Sequence, residues 1–596
     1  MPSNKNFEDL LARGVNFHQQ NNLDEARKIY VSLLNTHPNN FDLLFLLGTV
    51  NLQLNNFSES TIRLKRAISI NGSVPEAYFN LGLAYEKLGK FQESIANYEH
   101  ATQLQPDYIE AYVNCGNLLQ ALRRYQEALD SYDKAISLNP NHAESYNNRG
   151  NALQALLKTD EALISYDKAI SLNPNHAESY NNRGNALQAL LKSDEALISY
   201  EKAISLNPNY VDAYNNLGNL FKYLGKVTEA KKNYSRALSL NPKFLPALYN
   251  SAVISFDQGD LINAIKLYKE LIAIDPKHPD GNWNLSICYL MIGNYELGWE
   301  QYEYRWLTPS APFYQNKRLY SKPLWSGKES LNNKTIFIYF EQGYGDTIQF
   351  CRYMSLFNEL GANVILQVQK PLLMLLKSLG GAINLIPDNC NPPNFDYHCP
   401  LLSLPLAFRT RLGNIPKYQS YIAPNTDKVE YWKSKLGPKN KFRVGLSWSS
   451  TSNFKDDHKR SLSFAQFANL FPNNTKDFEF ICLQKEIKTS DKVAFSNANM
   501  IPFYGNELED FSDTAALMSQ VDLVISTCTS IPHLSCAMGI PTWILLSYVP
   551  DWRWLMKQTD SPWYPSATLY RQNQLGEWSS VLEQIRSDLS NINKYV

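Results

Sequence analysis

The 596-residue sequence predicts an α-solenoid of helix pairs followed by an α/β module with two lobes. The first half repeats with a period of 34 residues, which is typical of stacked helix pairs. From residue 334 onward, short apolar segments alternate with amphipathic ones, which is typical of parallel sheets covered by helices. The chain is also too long for a single hydrophobic core, because such cores stop growing at about 250–300 residues.

The repeat array contains nine units in register. In the unit that begins at 109, Gly116 lies on the apolar face of the first helix and is predicted to let the second helix cross closely. The second helix carries Ala128, Tyr132 and Ala135 at helical spacing. One helix pair cannot bury its apolar face alone, so stacked neighbours are expected to form a continuous core. The units begin at residues 7, 41, 75, 109, 143, 177, 211, 245 and 279.

These repeats closely resemble the tetratricopeptide repeat consensus over about half of the chain. Units 143–176 and 177–210 are nearly identical, which indicates a recent duplication. A solenoid of this class is expected to act as a docking surface for proteins. The two units differ at three places, Thr159/Ser193, Asp167/Glu201 and His176/Tyr210.

The sixth position of each unit is a candidate peptide-binding position. It is asparagine in seven consecutive units, whereas the first two units carry Ala12 and Leu46. A row of amides, each with two donors and an acceptor, would bind the backbone of an extended peptide, and it resembles the asparagine ladder of O-linked N-acetylglucosamine transferases. Alternatively, these amides bond between helices inside the array, and helical spacing alone does not distinguish the two. The residues are Asn80, Asn114, Asn148, Asn182, Asn216, Asn250 and Asn284.

Composition limits the classes of partner and compartment. The 57 basic and 57 acidic residues balance, which argues against nucleic acid or an anionic membrane as the main partner. The N-terminus lacks the apolar core of a signal peptide, and segments such as 542–549 are too short to cross a bilayer. The eight cysteines are scattered without a Cys-x-x-Cys pair, which favours a reducing, cytoplasmic location over a disulfide framework or structural zinc.

The second half is predicted to contain a connector, 307–333, and two α/β lobes, 334–425 and 440–596, after an array that spans 1–306. A polar, Lys-rich segment around 424–441 is expected to separate the lobes. Ligands of open α/β sheets bind beyond the carboxyl ends of the strands, so the cleft between the lobes is the expected site. Predicted strands are 334–340, 363–369, 443–448, 478–483, 521–526 and 542–546, and predicted helices are 347–360, 371–379, 464–470, 513–519, 531–539 and 578–590.

Three segments at predicted strand ends supply the first candidate site residues. Asp346 lies in a glycine-rich segment where a helix begins, either facing the cleft or acting as an N-cap. Lys459 and Arg460 are candidates to neutralise a phosphate, arginine through a bidentate fork. Gln484 and Lys485 end another strand and are candidates to contact a base or ribose, although a simple surface lysine fits equally well.

The segment 527–533 is the strongest candidate for an anion site. Its hydroxyls on Thr529 and Ser530, with the free backbone N–H groups of a starting helix, suit a nucleotide diphosphate. His533 is placed to reach the same phosphates or to cap the turn. Cys528 has no base placed to activate it, so a buried structural thiol is expected there. The alternative for the whole segment is a hydroxyl N-cap without a ligand.

Five motifs of the second half resemble those of bacterial tetratricopeptide proteins with a heptosyltransferase-like domain. The resemblance covers about residues 334–590, and the layout parallels the O-linked N-acetylglucosamine transferases. It implies a GT-B fold, with two Rossmann-like lobes and the nucleotide held mainly by the second. It places the family's aspartate base on Asp346 and its Asp-Thr-Gly-x-x-His phosphate segment on 528–533, where this sequence has Cys528 and Ser530 instead of aspartate and glycine. The motifs lie at 343–350, 444–448, 513–517, 526–543 and 551–566.

The function favoured by the sequence is transfer of a sugar from a nucleotide diphosphate to an acceptor, with a protein recruited by the array as the expected acceptor. Asp346 would act as general base, and the 527–533 segment with Lys459 or Arg460 would stabilise the leaving diphosphate. No metal or cofactor is then expected beyond the nucleotide sugar. A non-catalytic scaffold with a degenerate module, supported by Cys528, and a glycan or lipid-linked acceptor are the alternatives.

The aromatic residues Trp552, Trp554, Trp563 and Tyr564 are expected to pack in a core, with stacking on a sugar or base as the alternative.

Overall fold

The structure is a computed structural model that describes residues 4–311, 314–450, 457–472, 475–498 and 501–592, apart from the side chains of residues 4, 5 and 458. The chain divides into two compact units, Met1–Phe244 and Leu245–Val596. Unit one contains seven helix pairs, and unit two contains two further pairs and two parallel sheets. The predicted solenoid of helix pairs and the predicted parallel α/β region are both confirmed.

The helices of unit one follow the 34-residue period. Each pair has a first helix of 13 to 16 residues and a second of 14. The helices are α1 Asn4–Gln19, α2 Leu23–Thr36, α3 Phe41–Gln53, α4 Phe57–Ile70, α5 Pro75–Lys87, α6 Phe91–Leu104, α7 Ile109–Ala121, α8 Tyr125–Leu138, α9 Ala143–Ala155, α10 Thr159–Leu172, α11 Ala177–Ala189, α12 Ser193–Leu206, α13 Val211–Tyr223 and α14 Val227–Leu240.

A glycine permits the close crossing within most pairs. A Cβ atom added to Gly116 would lie 2.6 Å from Cε1 of Tyr132, closer than side-chain atoms pack. The corresponding contact between Gly150 and Tyr166 would be 2.4 Å. The tyrosines are fully buried, so the second helix fills the space that a larger side chain on the first would occupy. The crossing predicted at Gly116 is therefore confirmed.

Unit two begins with two more helix pairs and continues into two parallel sheets. The helices of the pairs are α15 Leu245–Asp257, α16 Leu261–Ile274, α17 Pro279–Met291 and α18 Tyr295–Tyr302. The strands are β1 Thr335–Tyr339, β2 Asn363–Val368, β3 Ile383–Pro387, β4 Tyr397–Pro400, β5 Phe442–Ser447, β6 Phe478–Cys482, β7 Leu523–Thr527, β8 Thr542–Leu546 and β9 Ala567–Arg571. The first sheet has the strand order β3-β2-β1-β4, and the second has the order β6-β5-β7-β8-β9.

Short helices cover the two sheets and connect their strands. The Lys-rich segment predicted to separate the lobes forms α23, which begins at the side-chain cap of Asn425 and buries Trp432 completely. The helices are α19 Tyr344–Phe350, α20 Met354–Glu359, α21 Leu373–Leu376, α22 Leu404–Ala407, α23 Thr426–Leu436, α24 Phe464–Phe467, α25 Lys492–Asn497, α26 Phe511–Met518, α27 Ser530–Ala537 and α28 Ser579–Ile592.

The last helix pair packs into the α/β part of unit two. Trp299 is buried with its ring edge-on to Trp552, 5.2 Å between centroids, and Trp563 donates a hydrogen bond from Nε1 to the hydroxyl of Tyr295 at 2.9 Å. Just beyond the pair, Arg305 forms a fully buried ion pair with Glu341, 2.7 Å apart. The sequence places the end of the array at 306, whereas contacts group α15–α18 with the sheets.

Candidate functional site

The candidate site is formed where strands of both sheets end. Helix α19 begins soon after β1, and α27 begins three residues after β7. The two helices touch at their first turns, because a Cβ atom added to Gly345 would lie 2.8 Å from Cδ2 of His533 and 3.5 Å from Cα of Ser530. The predicted glycine-rich segment of the first lobe, which contains Asp346, thus adjoins the predicted anion-binding segment 527–533 of the second lobe.

Asp346 connects the two lobes. It is the third residue of α19, and its carboxylate accepts a hydrogen bond from the backbone N–H of Gly343 at 2.9 Å. The N-cap is therefore Gly343 and not Asp346, which stabilises the helix start from the third position. The other carboxylate oxygen forms an ion pair with the Arg553 guanidinium of the second lobe. The Asp346 side chain is 21% exposed and lies between the two lobes.

Arg553 is a site residue that the sequence reasoning missed. Its guanidinium also contacts the Asp551 carboxylate at 3.0 Å, donates to the side-chain oxygen of Gln349, and lies 4.2 Å from the Trp552 ring centroid. The side chain is almost fully buried between these groups. The signal available in the sequence is an arginine between two tryptophans in the 551–554 segment that follows β8.

The ionisation of the site follows from burial and the arginines. Burial raises the pKa of Asp346, and the nearby Arg553 and Arg460 charges oppose that rise. Burial lowers the pKa of His533 well below its usual value, and the charges of Arg553, Arg352 and Arg460 lower it further. His533 is therefore neutral at pH 7. The charge of Arg460, a predicted phosphate-binding residue, thus affects the pKa of both groups.

Helix α27 begins within the segment 527–533, as expected, and a threonine hydroxyl caps its N-terminus. Thr529 is the N-cap, and its hydroxyl accepts a hydrogen bond from the Ile531 N–H at 3.4 Å. Thr529 and Ser530 are half-buried. His533 is buried, with its Nδ1 atom 3.0 Å from the Tyr564 hydroxyl and its ring stacked on Trp554 at 5.3 Å. Its Nδ1 atom is therefore engaged within the protein rather than directed to a phosphate.

Cys528 lies next to this helix start as a packed thiol. Burial raises its pKa to about 11, so the sulfur is protonated at neutral pH. The Trp554 indole donates a hydrogen bond to its Sγ atom at 3.0 Å. These contacts match the structural role expected from the sequence rather than a nucleophile.

The predicted cations of the 457–460 loop contact acidic side chains. Arg460 lies 3.4 Å from the Asp457 carboxylate, and Lys459 lies 4.0 Å from the Asp257 carboxylate of α15. Lys488 also pairs with Asp457, at 2.6 Å. Each of the two predicted cations therefore pairs with an acidic side chain of the protein.

Gln484 and Lys485 form contacts within the second lobe. The Gln484 side-chain oxygen accepts from the backbone N–H groups of Trp448 and Ser449 at 2.8 and 3.0 Å, and its amide nitrogen donates to the carbonyl of Glu486. The side chain is buried and joins the ends of β5 and β6. Lys485 donates to the Glu509 carbonyl at 2.9 Å. Both geometries stabilise the strand-end loops that surround the site.

Glu341, the first residue of the predicted glycine-rich segment, pairs with a buried arginine. It is fully buried beside Arg305, and burial raises its pKa to about 7.

The aromatic residues Trp552, Trp554, Trp563 and Tyr564 are all buried, which confirms the expectation that they pack in a core. Within the described residues, no group of three or more His, Cys, Asp or Glu side chains is arranged to hold a metal ion.

The asparagines of the repeat array are half-buried and bond between neighbouring units. The amide nitrogen of Asn148 donates to the Asn117 side chain at 3.0 Å, and that of Asn182 donates to Asn147 at 3.1 Å. Asn216 repeats the second pattern with Asn181 at 3.0 Å. These bonds are the alternative considered from the sequence. At the ends of the row, Asn80 donates to Thr49 at 3.1 Å and Asn284 donates to Tyr249 at 3.2 Å, while Asn114 and Asn250 occupy the same helix position.

Comparison with known families identifies the repeats. Tetratricopeptide repeat models match residues 73–141, 143–176, 177–210, 211–244 and 255–297. The N-terminal part of the chain, about 300 residues, therefore consists of tetratricopeptide repeats. No helix within the described residues combines the length and apolar character needed to traverse a bilayer.

Individual relatives match only parts of the chain. Protein FlbA of Caulobacter vibrioides is 28% identical over 329 residues. The match covers 50% of this chain and 53% of FlbA, so the chain spans about half the length of that relative. MamA is 26% identical over 27% of this chain and 95% of its own, with a TM-score of 0.26. YrrB, a tetratricopeptide repeat protein with an unusual peptide-binding site, is 25% identical over 31% of this chain and 95% of its own, with a TM-score of 0.27.

Proposed function

We propose that unit two is a GT-B glycosyltransferase that moves a sugar from a nucleotide-diphosphate donor to a hydroxyl acceptor. The observation that carries the proposal is the junction of α19 and α27, where Asp346 adjoins the first turn of α27. Both groups lie at the carboxyl ends of parallel strands, the place where open α/β sheets bind nucleotides. Arg553 and Arg460 add positive charge to the same place.

The chemistry would be a single displacement. As the acceptor oxygen attacks the anomeric carbon, Asp346 would accept its proton, and the bond from that carbon to the diphosphate would break. Burial raises the pKa of Asp346, which suits a general base, whereas its pairing with Arg553 opposes proton uptake. Rearrangement of Arg553 from Asp346 toward the diphosphate would free the base and stabilise the leaving group in one movement.

The repeat array would recruit a protein acceptor. Tetratricopeptide repeats are shown over the first 300 residues, and repeat solenoids provide extended binding surfaces. The asparagine row would contribute only where a peptide replaces the bonds between neighbouring units, such as that from Asn182 to Asn147. The donor sugar would be the substrate of unit two, with Thr529 and Ser530 beside its diphosphate.

Substitution of Asp346 by asparagine tests the base. Asp346→Asn should lower sugar transfer or donor hydrolysis by about 10²–10⁴-fold, because a positioned base contributes that much, while nucleotide affinity remains. Calorimetry with UDP, GDP and ADP sugars would measure binding, and mass spectrometry of released nucleotide would measure turnover. Asp427→Asn, in an exposed first helical turn, is the matched control. Unchanged turnover in Asp346→Asn would refute the base assignment.

A non-catalytic scaffold is the second candidate. It is favoured by the Asp346–Arg553 ion pair, which occupies both groups, and by Cys528, which packs against Trp554 where the related transferases carry an aspartate. In a scaffold, this pair would simply fasten the two lobes. Absence of heat on titration with every nucleotide sugar, together with retained protein binding by the array, would favour this candidate over the enzyme.

A further inference from the structure

Four large apolar side chains project into solvent from the two nearly identical repeat units. Leu157 and Leu191 are 89% and 72% exposed, and Ile164 and Ile198 are 69% and 65% exposed. Leu157 and Leu191 occupy the turns before α10 and α12, and the isoleucines lie within those helices. We call these four residues the outer patch. The same two positions are apolar and exposed in both units, so the exposure is a repeated feature rather than a single exposed residue.

The backbone at two of these positions makes the exposure more informative. Leu157 and Leu191 both have φ of 61°, the left-handed conformation that disfavours residues with a Cβ atom. The same turn position is glycine in four other units, Gly89, Gly225, Gly259 and Gly293. Leucine there is unfavourable for the isolated unit in two ways, since it strains the backbone and exposes apolar surface. Burial against a partner would offset both costs.

The charges beside the isoleucines indicate which partner would fit. Ile164 has Asp160 four residues before it and Lys168 four residues after it, so the three share one face of α10. All three side chains are exposed. In α12 the same arrangement is formed by Asp194, Ile198 and Lys202. Each face thus carries an acid, an apolar centre and a base, in that order along the helix.

We propose that the outer patch binds a second copy of this chain through a two-fold axis. When two such faces pack antiparallel with isoleucine against isoleucine, each acid of one copy meets a base of the other. A two-fold interface uses one self-complementary surface twice, and this charge order has that property. The unit that begins at 109 has Asp130 in place of the central isoleucine, and the unit that begins at 41 carries the exposed Ile62 but has Ser58 in place of the acid, so the complete order of acid, isoleucine and base is confined to units 143–176 and 177–210.

Charge reversal tests the antiparallel pairing in the full chain. Wild-type protein should show a concentration-dependent dimer in sedimentation-velocity ultracentrifugation. Lys168→Asp with Lys202→Asp, and separately Asp160→Lys with Asp194→Lys, should each weaken dimerisation at least tenfold, because like charges then face each other. An equimolar mixture of the two variants should restore the dimer as a mixed species. A wild-type monomer at every concentration, or a mixture that stays monomeric, would overturn the proposal.

Two further variants separate the interface from general effects. Lys134→Asp makes the same change at the equivalent exposed position of the preceding unit, beside Asp130, and should leave the dimer unchanged. Leu157→Gly with Leu191→Gly relieves the left-handed strain, so the array should remain folded by circular dichroism while dimerisation weakens at least tenfold. An unchanged dimerisation constant in this folded glycine variant would also refute the patch as the interface.

Discussion

His533 is a buried histidine beside arginines, and the protein keeps its imidazole uncharged. The ring is held by the Tyr564 hydroxyl and by stacking on Trp554. Because burial and the charges of Arg553, Arg352 and Arg460 all disfavour a further positive charge, the pKa lies well below the usual histidine value. The residue expected from the sequence to reach phosphates or to cap the turn therefore adds no positive charge to the site, and the positive charge there comes from the arginines.

This depressed pKa predicts acid sensitivity in unit two. Below about pH 6.5 the unfolded chain binds a proton at this histidine and the folded chain does not, so the free energy of unfolding falls as pH decreases toward the folded pKa. The slope contributed is up to about 1.4 kcal/mol per pH unit. His533→Phe keeps an aromatic ring and should flatten the dependence between pH 6.5 and 5 in urea titrations followed by tryptophan fluorescence. An unaltered slope would show that this histidine does not govern the acid response.

At the scale of elements, the contact between α19 and α27 holds the candidate site together. Gly345 provides the closest approach, because a Cβ atom there would lie 2.8 Å from the His533 ring. That ring is fixed by its neighbours, so it has little freedom to move aside. The spacing between the Asp346 carboxylate and the start of α27 thus depends on a residue without a side chain.

Gly345→Ala is expected to destabilise unit two by about 1–3 kcal/mol, because an extra methyl group is forced into a packed contact. Gly413→Ala is a matched control, since an added Cβ atom there meets nothing within 4 Å, and it should change stability by less than about 0.5 kcal/mol. Urea unfolding of both variants would measure the difference. Equal stability of the two variants would contradict the close packing of α19 on α27.

Local sequence patterns were sufficient to predict most elements and insufficient for the rest. The six predicted strands are present within two residues at either end, because each is a continuous buried apolar segment. The pattern missed β3, which is only partly buried, β4, which has four residues, and β9, whose second residue is exposed. It also missed α23, because that helix is mostly polar and buries a single tryptophan, Trp432.

The candidate site was predictable only in part, because some of its contacts join residues that are far apart in the sequence. Asp346 and Thr529 follow strands, and that position can be recognised from the sequence. Arg553 acquires its role from a partner 207 residues away, and no local pattern encodes such a contact. The amide bonds between Asn148 and Asn117 likewise depend on how successive units stack.

At the scale of the whole molecule, the two units can be observed separately. All 11 tryptophans lie between Trp283 and Trp578, so tryptophan fluorescence reports unit two alone. The fourteen helices of unit one contribute to the far-ultraviolet circular dichroism signal, although that unit has no tryptophan. A circular dichroism transition without a matching fluorescence transition therefore reports unfolding of unit one.

Truncation tests where the α/β part begins. A fragment of 245–596 should fold cooperatively, because it keeps the Tyr295 and Trp299 contacts and the Arg305–Glu341 ion pair. A fragment of 307–596 removes those three residues and leaves Glu341 buried without its cation, a loss of about 3–5 kcal/mol from that pair alone. We expect it to aggregate or to lack a sharp fluorescence transition. Equal cooperativity of the two fragments would place the beginning of the independent fold at 307.

The near-identity of units 143–176 and 177–210 has a consequence for how this protein changes over generations. Two adjacent DNA segments that encode almost the same 34 residues favour unequal recombination, which adds or deletes one whole unit at a time. Since each repeat contacts chiefly its neighbours, such an event alters the length of the solenoid without disturbing the helix pairs embedded beside the sheets. Lineages that carry this gene are thus expected to differ in repeat number upstream of residue 245, while the spacing from α15 to Asp346 stays constant.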